Sequence, residues 1–218
     1  MTELAGFQFT DLPTAKVDRM ESYLGPLADS VRALVDATIR TTVPAAQVRR
    51  ARVEIEAVTA RLRARQLPGP AGIHVNAEGR SWQWGNAAVG LRNAVAPPLV
   101  VRRDEDGVVR GWAVLGAAYE GPPGMVHGGA LALLLDHLMG VTASHGRRPA
   151  VTGTLTLRYR HATPLGLVRL EGRIDRREGV KTIVSAHISD GSASTVDAEG
   201  IFILPHWARD AHRMAEPQ

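Results

Sequence analysis

GPPGMVHGGALALLLDHLMG, residues 121–140, is a glycine-rich loop that runs straight into an apolar helix. The run Ala-Leu-Ala-Leu-Leu-Leu is apolar nearly all round, so the helix must be buried. It nevertheless carries an ionisable pair, Asp136–His137, and a buried carboxylate is costly unless something demands it. His127-Gly128-Gly129 opens the helix, and two glycines in a first turn cost up to about 1 kcal/mol each relative to alanine. That cost has two readings. One is close approach of a ligand oxygen to the bare Gly128 N–H, favoured by the helix dipole. The other is a tight strand-to-helix turn in which the histidine caps or packs. On the side of Asp136 lie Gly129, Ala132, Leu133 and Gly140, a mostly small stripe that admits a thin substrate or another backbone. A plain packing contact with Asp136 bonded to backbone would use the same stripe.

Gly128 and Asp136 are eight residues apart, hence about 12 Å along one helix. One carbonyl cannot easily meet both within a single helix. Two antiparallel helices across a two-fold axis would bring Gly128 of one subunit to Asp136 of the other, twice. A homodimer with sites across its interface is therefore expected.

Outward from this helix the pattern changes. Leu99–Arg103 and Val108–Tyr119, separated by DEDG, read as a hairpin. Beyond the helix, Ala150–His161, Gly166–Arg176, Lys181–Asp190 and Ser194–Leu204 read as strands whose short links predict a meander of antiparallel neighbours. The fold class is α+β, a curled antiparallel sheet wrapped around a central helix. Residues 1–70 read as an N-terminal helical extension, residues 71–206 as the main domain and residues 207–218 as a tail. In the extension, Val31, Leu34, Val35 and Ile39 recur at helical spacing, and Val48, Ala51, Ile55, Val58 and Leu62 form a second stripe after Thr41–Pro44. Arginines 49, 50, 52, 61, 63 and 65 occupy much of the second helix's other side, read as a solvated face or, alternatively, as a membrane-surface or partner-binding one. Trp82 and Trp84 read as packing, with an acyl-pocket wall as the sharper alternative.

The chain of 218 residues has no cysteine, which excludes disulfides, a cysteine nucleophile and thiolate metal sites. A formal charge of +4 suits an anionic small molecule and is too weak to argue for nucleic acid. The first residues lack a signal-peptide pattern and the longest apolar run is far short of a membrane span, so a soluble cytoplasmic protein is expected. There is no Gly-x-Ser-x-Gly, no His-Glu-x-x-His and no P-loop spacing. No metal is expected, and His145, His161, His187 and His206 read as surface or packing residues.

The loop and helix, Glu120–Gly129 followed by LALLLDHLMG, resemble the hotdog-fold acyl-CoA thioesterases, closest to the PaaI-like branch with an EGPPGxxHGG loop. The resemblance runs from about Leu99 to Leu204 and includes TGTLTLRYRHATPLG and the REGVKT turn. It implies a hotdog fold, homodimers that often assemble into homotetramers, and hydrolysis of an acyl-CoA to acid and CoA. Asp136 matches the family's catalytic carboxylate, Gly128 the glycine whose N–H faces the thioester oxygen, and His127 the histidine holding that region. Thr152 matches a hydroxyl residue near the carboxylate. Gly129 completes the loop motif. Lys181, Arg177 and Arg160 are candidates for the CoA phosphates by position, each equally readable as plain surface. Some relatives carry Asn or Gln six positions before the histidine, where this chain has Gly121. No cofactor is implied beyond the CoA thioester as substrate. The alternatives are a hotdog acyl-ligand-binding protein without turnover and a hotdog hydratase, for which no matching Asp-plus-His or His…Glu spacing is present.

Overall fold

The computed structural model describes residues 3–4, 7–144 and 148–213. The chain forms two compact units, the first reaching to Asn86 and including Gly90–Ala94, the second holding Ala87–Val89 and everything from Val95.

In the first unit, strands β1 (Glu3–Leu4) and β2 (Phe7–Thr10) precede helices α1 (Thr14–Arg40) and α2 (Ala45–Arg63), and β3 (Ile73–Asn76) and β4 (Ser81–Trp82) follow. The four strands form one sheet in the order β1-β2-β3-β4, with β2 parallel to β3. The helical extension expected over residues 1–70 thus holds helices α1 and α2 but also strands β1 and β2, and its unit runs past residue 70 to include β3 and β4. These strands are two to four residues long, too short for alternation to register in the sequence, and β2 finds its partner more than sixty residues on. Pro44 forces Val43 to be extended and ends the helical run, then starts the next helix by accepting from Gln47 and Val48 N–H. Trp82 and Trp84 are buried with Val17 and packed by Leu12, Met20, Leu24 and Leu91. His74 stacks on Trp82, ring centroids 5.3 Å apart, and the Trp84 indole N–H donates to Glu21 at 3.0 Å. Both tryptophans are packing residues.

The second unit contains β5 (Val100–Arg103), β6 (Val109–Leu115), α3 (Gly128–Ala143), β7 (Val151–Tyr159), β8 (Gly166–Glu178), β9 (Lys181–Ser189), β10 (Ser194–Ile203) and α4 (His206–Arg213). The strands form one antiparallel sheet in the order β5-β6-β8-β9-β10-β7. The strand limits match the sequence reading closely, but a simple meander is not what forms. β7 pairs with β10, and the short link 160–165 carries the chain past β10 and β9 to β8. Arg160 and His161 N–H bond Thr195 O, the Thr163 hydroxyl bonds that of Thr195, and Thr163 O accepts from Val126 N–H. A link of six residues can do this because the curled sheet brings its strand ends close together around the helix tip. The expected tail begins as a helix, with Ala208 buried and Arg209 bonded to Leu204 O; residues 214–218 lie outside the described residues.

Leu131, Leu134, Leu135, Leu138 and Met139 are buried against Val109, Leu115, Val168, Val184, Ile188, Val196 and Phe202. Burying each of these helix side chains contributes about 2 kcal/mol. Three strand glycines make the trough in which they lie. A Cβ on Gly111 or Gly172 would come within 2.9 Å of a Leu138 methyl, and one on Gly200 within 2.9 Å of the Met139 methyl. At the helix C-terminus the Arg103 guanidinium donates to Val141 O at 2.6 Å, placing a cation where the dipole is negative.

The wrap is incomplete. Gly129 is exposed, and Ala132, Leu133, Asp136, His137 and Gly140 are only half-buried. The expectation of a helix covered on every side is corrected: one stripe, the one carrying Asp136, stays open. Beside it runs β7, the sheet's edge, exposed or half-buried along its whole length.

Candidate active site

The loop before α3 is tied down at both ends. Gly121 N–H donates to Met125 O at 2.9 Å, His127 N–H to Tyr119 O at 2.8 Å, and Leu165 N–H to Gly124 O at 3.0 Å. The Glu120 carboxylate accepts from Gly124 N–H at 2.7 Å, and Gly124 is left-handed at φ 74°. Gly121 is required by closeness: a Cβ there would lie 2.8 Å from His127 Cα. No Asn or Gln side chain fits at that position in this loop.

His127 caps the helix. Its backbone is extended, and its Nδ1 accepts from Gly129 N–H at 2.9 Å, which leaves Nε2 to carry the ring proton. A side chain on Gly129 would begin 3.1 Å from that Nδ1 and displace it. Gly128 is the first helical residue, and its N–H has no acceptor among the described residues. A Cβ on Gly128 would meet the Tyr159 ring at 3.3 Å, and the Tyr159 hydroxyl donates to Gly128 O at 3.0 Å. Both glycines therefore have a local reason to be glycine, and the bare N–H is left facing outward. A groove of about 350 Å³ opens here between Pro122, Met125, Gly128, Leu131, Tyr159 and Arg160.

Asp136 lies two turns further along the open stripe. It accepts from the Thr152 hydroxyl at 2.8 Å. Its second oxygen has no hydrogen-bond partner among the described residues, so it is neither locked by its own backbone nor ion-paired. Thr152 reaches it from the edge strand, where it pairs with Phe202. Burial pushes the neighbouring His137 imidazole below its ordinary value of 6.5, and the Asp136 charge offsets this only in part. The unfolded chain therefore takes up the His137 proton at a higher pH than the folded one. Stability is expected to fall as the pH drops through about 6.5, by at most about 1.4 kcal/mol per pH unit from this group. Urea midpoints across that range, compared with His137→Gln, measure it.

The structure brings Asp136 together with Thr152, and His127, Gly128 and Gly129 together at the helix tip. It keeps these two clusters apart within one chain. Arg160 borders the groove at the tip but is ion-paired with Asp197 at 2.8 Å. Arg177 and Lys181 are exposed at the β8–β9 turn, at the far end of the sheet from Gly128; Lys181 pairs with Ile203, one residue beyond the partner of Thr152. Tyr159 and Glu120, which hold the tip, were not singled out as site residues by sequence. Tyr159 could have been found from its place in the quoted strand, but alternation alone does not tell a tyrosine at a helix tip from one at an exposed edge. His161 and His206 are exposed and His187 is half-buried on the sheet's outer face; His145 lies outside the described residues. A hollow of about 620 Å³ lies on that outer face, near Arg102, Trp112 and Arg169, and includes neither Asp136 nor Gly128.

A central helix gripped by a curled antiparallel sheet is the architecture of the hotdog folds. Comparison with known proteins gives the family. A sequence model of the thioesterase superfamily matches residues 123–196. The crystal structure of a thioesterase superfamily protein superposes with a TM-score of 0.74 at 32% identity, covering 83% of this chain and 90% of that one. Acyl-coenzyme A thioesterase THEM4 of Xenopus laevis is 34% identical over 91 residues, and acyl-coenzyme A thioesterase THEM5 of Homo sapiens is 32% identical over 91 residues. These alignments cover 40% of this chain and 41% and 37% of the two relatives, so the match spans about two-fifths of the curated proteins. The chain belongs to the thioesterase superfamily.

Proposed function

We propose that this protein is an acyl-CoA thioesterase that works as a homodimer. The observation that carries this is the pairing of an unbonded Gly128 N–H at a helix tip with a threonine-held Asp136 on the open side of the same helix type. Thioester hydrolysis needs these two groups: a donor for the developing oxyanion and a carboxylate to activate water or attack directly. In the water route, Asp136 takes a proton from water as its oxygen bonds to the acyl carbon. The carbonyl oxygen gains charge against Gly128 N–H. Its collapse breaks the C–S bond, and the proton held by Asp136 goes to the leaving thiolate. In the direct route the same carboxylate attacks the acyl carbon and the C–S bond breaks, releasing CoA thiolate that takes a proton from solvent; water then opens the mixed anhydride to the free acid and restores Asp136.

The dimer supplies the missing proximity. β7 is an edge with unpaired backbone groups, and such an edge favours pairing with its own copy. Antiparallel pairing would lay the open stripes of two α3 helices side by side, each tip beside the other's Asp136. In that arrangement the partner's β8–β9 turn would bring its cations, Arg177 and Lys181, towards the helix tip, where CoA phosphates need them. Acyl-CoA as substrate is supported by the names of the curated relatives. Placement in the PaaI-like branch rests on the Glu120–Gly129 loop, and a cytoplasmic location on the sequence; among the described residues no helix is long and apolar enough to cross a membrane.

A thiol-release screen over short, long and aromatic acyl-CoAs tests the proposal. Release from at least one class is expected; tight binding without release across all of them would favour the acyl-ligand-binding alternative. Thr152→Ala is expected to lower kcat about tenfold with KM little changed, since the hydroxyl orients Asp136 and does not hold substrate, whereas Thr152→Ser keeps most of the rate. Steady-state kinetics on all three proteins checks this.

A further inference from the structure

Helix α2 buries none of its 19 residues. Most helical stability in proteins comes from packing an amphipathic face rather than from propensity, and this helix is amphipathic. At the helical angle, Val48, Ala51, Ile55, Val58 and Leu62 fall within an arc of about 80°. The four large side chains in that arc are 38 to 51% exposed. Of the arc, Val48, Ala51 and Ile55 border, with Leu34 and Val43, an apolar hollow of about 400 Å³ in the same unit. The face is built to be covered.

Charge indicates by what. Residues 45–65 hold six arginines and two glutamates, a net of +4, which equals the formal charge of the whole chain. The remainder of the protein therefore balances to zero, and its excess charge sits on this one segment. Of these six arginines only Arg52 has a carboxylate partner among the described residues, Glu56 at 3.4 Å; Arg49, Arg50, Arg61, Arg63 and Arg65 have none there. Elsewhere Arg32, Arg40, Arg80, Arg110, Arg160, Arg173 and Arg176 have carboxylate partners, while Arg19, Arg102, Arg158, Arg169 and Arg177 have none among the described residues. On the helical wheel Arg52, Arg63 and Glu56 follow the apolar arc on one side, and Glu54 and then Arg61 on the other. Cations in those positions can reach outward while their stems line the arc.

We infer that α2 docks this protein on an anionic lipid surface, its apolar arc entering the headgroup–acyl boundary and its arginines meeting lipid phosphates. A second copy is the less fitting cover, because two α2 segments face to face would bring two net charges of +4 together. The helix lies on the bilayer and does not cross it; an apolar arc and a basic rim together supply the two signals that stable surface binding needs.

Vesicle flotation with the full chain tests this. Vesicles of equal parts phosphatidylglycerol and phosphatidylcholine are expected to carry the protein at low salt, and phosphatidylcholine alone is not. Raising the salt releases it. Replacing Arg49, Arg50, Arg61 and Arg63 together by Gln weakens partitioning by roughly two to three orders of magnitude. Ile55→Ser with Val58→Ser weakens it with the charge intact. Circular dichroism and thiol release on the same samples verify that the variants are folded. Absence from anionic vesicles at low salt overturns the inference, as does equal binding by the arginine variant. A change in solution mass caused by the serine variant, with flotation unchanged, overturns it in favour of a second copy.

Discussion

Asp136→Asn is expected to lower thiol release from acyl-CoA about a thousandfold, within the range that a positioned acid–base group supplies. The substitution is nearly isosteric and removes only the charge and basicity. Asp136 is half-buried on the helix's open stripe and its one protein partner among the described residues is the Thr152 hydroxyl. An amide oxygen can accept that same bond. The fold therefore loses little, and thermal unfolding should show a midpoint close to that of the parent. A variant that turns over at the parental rate would remove Asp136 from the chemistry altogether.

Gly128→Pro is expected to cost about a hundredfold to a thousandfold in kcat, the cost of losing one oxyanion donor. A backbone N–H is normally beyond the reach of mutagenesis, but this position is an exception. Gly128 is the first residue of α3, where proline is well tolerated because the N–H makes no helical bond. His127 before it is already extended, at φ −61° and ψ 131°, the conformation that a residue preceding proline prefers. The added ring carbon would meet Tyr159 at 3.3 Å, and that side chain is 52% exposed and can move aside. Circular dichroism should report an unchanged fold while release kinetics report the loss. Gly128→Ala, which keeps the N–H but presses on the same ring, separates donor loss from crowding and should lose far less.

The sequence is most legible where one physical demand dominates. The run Ala130–Leu135 had to be a buried helix, and alternation located β7 to β10 within a few residues. Order within the sheet was not legible, because pairing of β7 with β10 depends on a link folded across the helix tip by Thr163 and Thr195. The small sheet of the first unit escaped for a related reason: strands of two to four residues have no period to read. At the site, Asp136 and the glycines stood out because each costs stability where it sits. Thr152 came from family resemblance alone, since a threonine in a strand costs nothing and signals nothing. Gly121 stands where some relatives carry Asn or Gln; the fold explains it as the residue that lets the loop close on His127.

In the proposed dimer each site takes its carboxylate from one subunit and its helix tip from the other. Mixing the two inactive variants tests it most directly. Asp136→Asn subunits and Gly128→Pro subunits, unfolded and refolded together in equal amounts, give hybrid dimers in which one site regains both intact groups. Half the dimers are hybrid and half their sites are whole, so activity should return to about a quarter of the parental level. A mixture no more active than either variant alone would contradict the shared site.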